Sequence, residues 1–445
     1  MVPGVSIISD FPVSYWLAAI VLGSFAIEAG IRIREKWSVP ALMVYLTVFG
    51  WYMVEPIISS EMRDFTSEAI SGGYICVLIF VCAFRLFCTP IAKAMAPRES
   101  MAINARDIPV ETVLIVTTVI WLVLLAYGTA RMDGDLFAAL FPVEARSGNS
   151  MWLRAAGADA GKLGFVVSVA GYMYTLVLSL FGMVLPILKR RSYQILCILL
   201  ILISWPYAFL QGSRNIALAV FIPMVFSFVF FSKIRLFIKA LIAICAAFFL
   251  EWSMRQIIAY RNFGFDYSGE IENNGHSGLN MATELIYCRS FVENEVLQKT
   301  YGSHILADML NFIPRVIWTD KPLLGIDYAI ARGYGGGGTS DIGVVATISS
   351  GMIGQGVLEF GPYIGPIFSA MLMALWSGWL SRLYAQGTVT RVCLFLVGMG
   401  LTFNLGRNIT LLVLWPMVFA FGLVLALEYH ARRRRTLPGR IAFDL

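Results

Sequence analysis

The sequence predicts an all-α polytopic membrane protein of about 11–12 transmembrane helices, with one large external loop containing short helices. Three observations carry that prediction. The 445 residues are 58% hydrophobic and only 14% charged, whereas a soluble globular chain is nearer a quarter charged. Apolar runs long enough to cross a bilayer recur along the chain. One polar stretch, 253–343, interrupts them and holds Arg255, Arg261, Arg289, Arg315, Lys321 and Arg332 beside Glu284, Glu293, Asp308, Asp320 and Asp327.

Taken in order, the spans fall at 14–33, 39–58, 69–89, 109–127, 163–188, 193–210, 216–232, 236–252, 362–380, 391–409 and 410–428. Each is long enough for a hydrocarbon core of about 30 Å at about 1.5 Å of rise per residue. The Gly-rich stretch 343–361 is open to being a further broken or re-entrant span, and the N-terminus to dipping in as a twelfth. Met1–Pro12 lacks a basic n-region, so no cleavable signal is expected. The organisation is three-part: N-terminal helices 1–252, the loop 253–343, and C-terminal helices with a basic tail 344–445.

Every second connection is basic. Arg32, Arg34 and Lys36 follow the first span, Lys93, Arg98 and Arg106 the third, Lys189, Arg190 and Arg191 the fifth, and Lys233 and Arg235 the seventh. Arg382 and Arg391 lie in the next such connection, and Arg432–Arg435 lie near the C-terminus. The positive-inside rule makes these cytoplasmic and 253–343 external. The net charge of +6 comes in short clusters between spans, which argues against nucleic acid as a partner. Of seven cysteines only Cys288 lies in the loop, and no metal-ligand spacing appears, so neither a metal nor another cofactor is expected.

Within the loop, residues 281–298 have helical periodicity, with Leu285, Cys288, Val292 and Val296 on one face. Asn280 suits its N-cap, Glu284 its first turn, and Arg289 and Glu293 are spaced to pair. Ser303–Asn311 predicts a second short helix, stopped by Pro314. Such apolar faces must be buried, so the loop is expected to be a folded lid over the external membrane face. Gly333, Gly335 and Gly338 match G-x-G-x-x-G, but no strand precedes them, so they predict close backbone approach or a hinge rather than a dinucleotide site.

Arg214 and Arg407 occupy near-twin turns, Gln211-Gly212-Ser213-Arg214-Asn215 and Gly406-Arg407-Asn408, at external span ends, and Arg255 follows the eighth span. A charge near hydrocarbon costs about 2.5–3.5 kcal/mol on insertion scales, so several together point to an anion site. Arginine offers a planar fork to phosphate oxygens. Glu55, Glu251 and Glu359 are placed to be counter-ions.

Ile313-Pro314-Arg315-Val316-Ile317-Trp318-Thr319-Asp320-Lys321-Pro322 resembles the IPR-x-x-W-x-x-KP segment of bacterial oligosaccharide repeat-unit polymerases of the Wzy type. Gly212-Ser213-Arg214 resembles the SR at the external end of a central span in that superfamily, which includes the O-antigen ligases. The resemblance implies a GT-C-like, metal-independent, inverting glycosyltransferase of the bacterial inner membrane, with its active face periplasmic. Its substrates would be undecaprenyl-pyrophosphate-linked glycans, and its partner a chain-length-regulating co-polymerase.

In this reading Arg214, Arg255, Arg315 and Arg407 bind the donor pyrophosphate, with Arg289, Lys321 and Arg332 completing the site. Glu284, His304 and Asp320 are the alternatives for the general base. Two other functions fit the same layout: a flippase for lipid-linked sugars, and an O-antigen ligase. A flippase predicts inverted repeats and charge along a central cavity. The sequence has no evident repeat, and Glu28 and Arg85 are the charges nearest mid-span.

Overall fold

The computed structural model describes residues 11–58, 62, 64–96, 108–142, 151–152, 164–210, 214–232, 234–263, 280–310, 318, 325–333 and 348–436. Among them every regular element is helical. Among the described residues, six helices are long and apolar enough to cross a membrane: Val13–Ile31, Ser67–Met95, Val110–Arg131, Arg191–Leu210, Met352–Gln386 and Val413–Ala431. This is a multi-pass membrane protein. Four shorter apolar helices, Ser38–Val54, Val169–Val184, Ile216–Phe231 and Val389–Leu405, lie over further runs that the sequence offered as spans.

The chain divides into two compact units. The first comprises Met1–Pro97, Glu272–Ala385 and Thr402–Val413. It begins with α1 (Val13–Ile31) and α2 (Ser38–Val48), which runs through a π-helical turn, Phe49–Val54, into α3 (Glu55–Ile58). Helix α4 (Ser67–Met95) follows, its N-terminus capped by Thr66, whose side chain accepts from Ala69 N. A π-turn misaligns the normal backbone ladder. Here two tyrosines donate to its carbonyls: Tyr15 of α1 to Met53 O (3.1 Å) and Tyr74 of α4 to Tyr52 O (3.3 Å). Their rings pack edge to face, 4.9 Å apart. Deeper along the same helices, Arg85 grips both carboxylate oxygens of Glu28, at 2.9 and 2.8 Å.

The loop helices belong to this unit. They are α11 (Met281–Glu293), α12 (Ser303–Met309) and α13 (Ile326–Ala331). Helix α11 packs on α4, the π-turn and α3. Gly72 and Gly73 of α4 make room for it, with Arg289 lying over Gly72 and Ile286 over Gly73. The expectation of a single apolar face is corrected here: Met281–Ile286 are buried all round, including Thr283 and Glu284. Membrane helices enclose the first turns of α11, so even its polar positions lie inside. The helix also stops at Glu293 rather than 298, because Glu295 is left-handed (φ 57°) and Leu297 N turns back to Phe291 O. Val296, expected on the apolar face, is exposed.

The first unit also holds α14 (Met352–Gln386), which contains a reversal. Gly361 has φ 84°, a conformation glycine adopts freely. Pro362 opens the returning segment, where its missing N–H matters least. The two arms then run back along each other. Ser369 Oγ donates to Met352 O (2.8 Å), and Gly356 faces Gly365.

The second unit comprises Arg98–Ile271, Gln386–Leu401 and Leu414–Leu445. It holds α5 (Val110–Arg131), α6 (Leu136–Leu140), α7 (Gly164–Val184), α8 (Arg191–Leu210), α9 (Arg214–Phe231), α10 (Leu236–Phe263) and most of α15 (Val389–Leu405) and α16 (Leu411–Thr436). Helix α7 is central and packs on α5, α8 and α9. Buried indoles find partners there: Trp121 donates to Tyr174 Oη and Trp205 to Leu178 O. Arg391 makes a two-pronged ion pair with Glu428, at 3.0 and 2.6 Å, joining α15 to α16. Helix α10 extends to Phe263, so Arg255 and Arg261 stand on its final turns rather than on loop.

Candidate functional site

Three segments of the first unit meet around Tyr52: the start of α11, the start of α14, and the turn between α15 and α16. Gly351, in the left-handed region at φ 77°, leads into α14 and lies against both the Tyr52 hydroxyl and Met281. Tyr52 Oη accepts from Ile353 N (3.1 Å), and Met352 N donates to Gly406 O (3.0 Å). The Gln355 side chain then clamps Ile409, donating to its carbonyl at 3.1 Å and accepting from its amide at 2.9 Å. A single, buried amide side chain thus satisfies two main-chain groups of the partly buried turn.

Arg407 projects from this turn. Its Nη2 donates to Ser349 Oγ (3.4 Å), and its guanidinium lies 5.9 Å from the Trp51 ring centre. The Trp51 indole donates to Phe403 O (2.8 Å), which fixes the ring under the arginine. A little further on, Thr410 Oγ1 donates to the buried Asp308 carboxylate of α12 (3.2 Å). The starts of α11 and α14 both carry positive helix-dipole ends. They therefore add to the potential of Arg407.

One turn into α11, Glu284 is fully buried. Arg332 reaches it with two nitrogens, at 3.2 and 3.0 Å, and Tyr328 Oη also donates to it. The guanidinium lies 3.6 Å from the Tyr287 ring centre. Tyr328 packs edge-on against Phe291, and its short helix follows Gly325, left-handed at φ 71°. Burial, reinforced by the neighbouring Cys288 and Glu284, pushes the Tyr328 phenol well above its ordinary range, so it remains a donor. Burial alone would lower the Arg332 pKa, but the hydrogen bonds and charge of Glu284 outweigh it and raise it.

Other carboxylates have quieter tasks. Glu359, offered by the sequence as a counter-ion, accepts from Thr300 Oγ1 and Gly302 N, both at 2.6 Å. It ties the connection ahead of α12 to the reversal of α14. Arg289 pairs with Glu293 at 2.9 Å, the local i,i+4 partner that the spacing predicts. His304 lies half-buried on α12.

The structure therefore brings Glu284 and Arg332 into contact, and places Arg289, His304 and Arg407 in the same unit. Arg214 and Arg255 belong to the second unit, at the start of α9 and on α10. Arg315, Asp320 and Lys321 lie outside the described residues, as does most of the segment around Trp318. The positions 334–347 that continue the glycine run also lie outside them. Sequence reasoning missed Tyr52 and Gln355 as parts of this region, and counted Asp308 only among the acids of the loop. Gln355 carried a signal: it is the one amide in the apolar run Met352–Leu358.

Among the described residues no group of three or more His, Cys, Asp or Glu side chains is placed to hold a metal ion. The chain matches no protein-family model, no curated protein and no solved structure.

Proposed function

We propose that this protein polymerises undecaprenyl-pyrophosphate-linked oligosaccharide repeat units at the periplasmic face of a bacterial inner membrane. The reading is of a GT-C-like, Wzy-type glycosyltransferase with 11 or 12 spans, working without metal. The growing glycan passes from one lipid carrier to a hydroxyl of the next lipid-linked unit, with inversion at the sugar carbon. The departing pyrophosphate carries the driving force, and guanidinium groups stabilise its charge. A chain-length-regulating co-polymerase is its expected membrane partner.

The observation that supports this best is the packing of loop helix α11 on α4, the π-turn and α3 of the first unit. Arg332, Arg289 and Arg407 are held there with two helix N-termini and the buried carboxylates Glu284 and Asp308. Flexible tethers do not bury acids among membrane helices. The arrangement suits an anionic headgroup whose apolar tail stays in the bilayer.

The test is reconstitution in liposomes with lipid-linked repeat units, with product read as a glycan ladder. Wild type should extend the units. Arg407→Ala and Arg332→Ala should each slow extension by about 10²–10³, the usual effect of removing one charge-stabilising donor. Movement of intact units across the bilayer with no ladder would replace this reading by a flippase. Transfer of finished glycan to a different lipid acceptor, without a ladder, would replace it by a ligase.

A further inference from the structure

Asn280 stands at the head of α11 and is 0% exposed. Its Oδ1 accepts from Thr283 N at 3.1 Å and so caps the helix. That bond also fixes which end of the amide is which, because a flipped amide would set one donor against another. The other end, Nδ2, carries two N–H donors. It is buried and finds no acceptor among the described residues. Most other buried polar atoms in that position are hydroxyls of serine, threonine or tyrosine, such as Ser179 and Thr117. A hydroxyl can turn to seek a partner, whereas the Asn280 amide cannot turn without giving up its cap. A fixed, buried, unpaired donor is costly, and folded proteins keep few of them.

The start of α11 is a donor-rich place in its own right. A helix leaves its first N–H groups without helical acceptors, and the Asn280 cap takes only that of Thr283. Its neighbour Met281 is buried against Gly351. Gly351 leads to Met352, whose N–H donates to Gly406 O, next to Arg407. On its other side lies Ser349, whose Oγ accepts from Arg407 Nη2. The segment 349–351 therefore carries the Arg407 side chain at one end and the head of α11 at the other. Glu284, one turn along α11, has Arg332 and Tyr328 among its own partners. A cluster that offers a guanidinium, an amide and helix N–H groups suits a ligand with many acceptor oxygens, as a diphosphate has.

We propose that the Asn280 side chain is a binding residue: its Nδ2–H groups, with the first N–H groups of α11, take an oxygen of the diphosphate whose charge Arg407 balances. This rests on the polymerase reading and names the uncharged half of its anion site. A second cation in this buried place would be desolvated and set against Arg407, whereas an amide adds hydrogen bonds without charge. The two ends of one side chain then do separate jobs. Oδ1 holds the helix and Nδ2 holds the ligand.

Calorimetric titration of inorganic pyrophosphate into the full chain in phosphatidylcholine nanodiscs tests this, with thermal unfolding measured beside it. Asn280→Ser and Asn280→Asp both remove the amide donors and keep an oxygen that caps about as well as asparagine. Each should bind pyrophosphate at least about 10-fold more weakly than wild type, as expected for one lost hydrogen bond to a charged oxygen. Asn280→Ser should keep the wild-type unfolding temperature. Arg407→Ala should also weaken binding. Wild-type affinity in Asn280→Ser overturns the donor role even if Asn280→Asp binds weakly, since added negative charge alone repels the ligand. That result leaves the polymerase reading standing where Arg407→Ala still loses binding. A lowered unfolding temperature in Asn280→Ser that accompanies its weaker binding assigns Asn280 to structure and overturns the proposal. Should Asn280→Ser fail to fold, wild-type affinity in Asn280→Asp overturns it equally. Undecaprenyl pyrophosphate placed in the bilayer should show the same losses if the lipid headgroup is the source. Losses confined to inorganic pyrophosphate, with no binding of the lipid, assign the donor to a free diphosphate and overturn the polymerase reading alone. No binding of either pyrophosphate by wild type overturns both.

Discussion

Gly356 and Gly365 touch backbone to backbone: a Cβ built on Gly365 would stand 2.2 Å from the carbonyl oxygen of Gly356. Neither partner can move aside as a flexible side chain would, because the clash is with main chain. Gly365→Ala should therefore separate the two arms of α14 and lower stability by about 1–3 kcal/mol, the range for overpacking, or more. Gly23→Ala is the control, because a Cβ there meets nothing within 4 Å. It should be neutral or slightly stabilising. Thermal unfolding of the purified protein in detergent would measure both.

Gln355→Leu should detach the turn between α15 and α16 from the start of α14. The change keeps the volume but removes both hydrogen bonds to Ile409. Each fully buried main-chain group left without a partner costs about 1–3 kcal/mol, and these partly buried ones less. A lowered unfolding temperature alone would not distinguish this from general loosening. Protease cleavage in the turn 406–410, new in the variant, would.

Glu28 and Arg85 should couple across α1 and α4. Removing either alone leaves a charge near hydrocarbon, so Glu28→Gln and Arg85→Met should each destabilise. The double variant should recover part of the loss. Both side chains are 27% exposed, so a coupling of about 1 kcal/mol is expected rather than the value of a fully buried pair. A double-mutant cycle with zero coupling would show that the pair only snorkels.

Cys288 should resist alkylation. Its thiol is buried and burial pushes its pKa well above the ordinary value. Because the thiolate is the reactive form, a raised pKa means less of it at any working pH. At pH 8 a maleimide should leave Cys288 unmodified in the folded protein and modify it after denaturation, as read by peptide mass spectrometry.

A sidedness experiment tests the periplasmic placement. Val296 is 57% exposed on the loop between α11 and α12. A membrane-impermeant maleimide applied to intact cells should label Val296→Cys if that loop is external. Labelling only after permeabilisation would place it in the cytoplasm and remove the basis for an external glycan donor.

What the sequence disclosed, and what it withheld, follows from the range of the forces involved. Apolar runs declare helices by composition, so helices stand over the spans, from Val13–Ile31 to Leu411–Thr436. The Asn280 cap and the Arg289–Glu293 pair are local in sequence and were equally visible. Glu284 was legible as a first-turn acid, but the seat of its helix rests on Gly72 and Gly73 of α4, far away in the chain. Its bond to Arg332 spans 48 residues and has no periodic signature. The sequence offered 343–361 as a further broken or re-entrant span ahead of 362–380, and the reversal falls at Gly361, but composition alone did not choose between one long span and two folded arms. The π-turn at Phe49–Val54 was silent in the sequence, since the two tyrosines that donate to its carbonyls come from other helices.

The first unit is assembled from three separate lengths of chain, the last of them Thr402–Val413. A ribosome delivering this protein must release α1 to α4 into the bilayer long before the residues that lock them arrive. During that interval the π-turn, Gly72 and Gly73 have no α11 to cover them. Helper proteins that shelter immature membrane helices would find their target there, and chains cut short of Gly406 should persist as substrates for quality-control proteases instead of reaching the folded state.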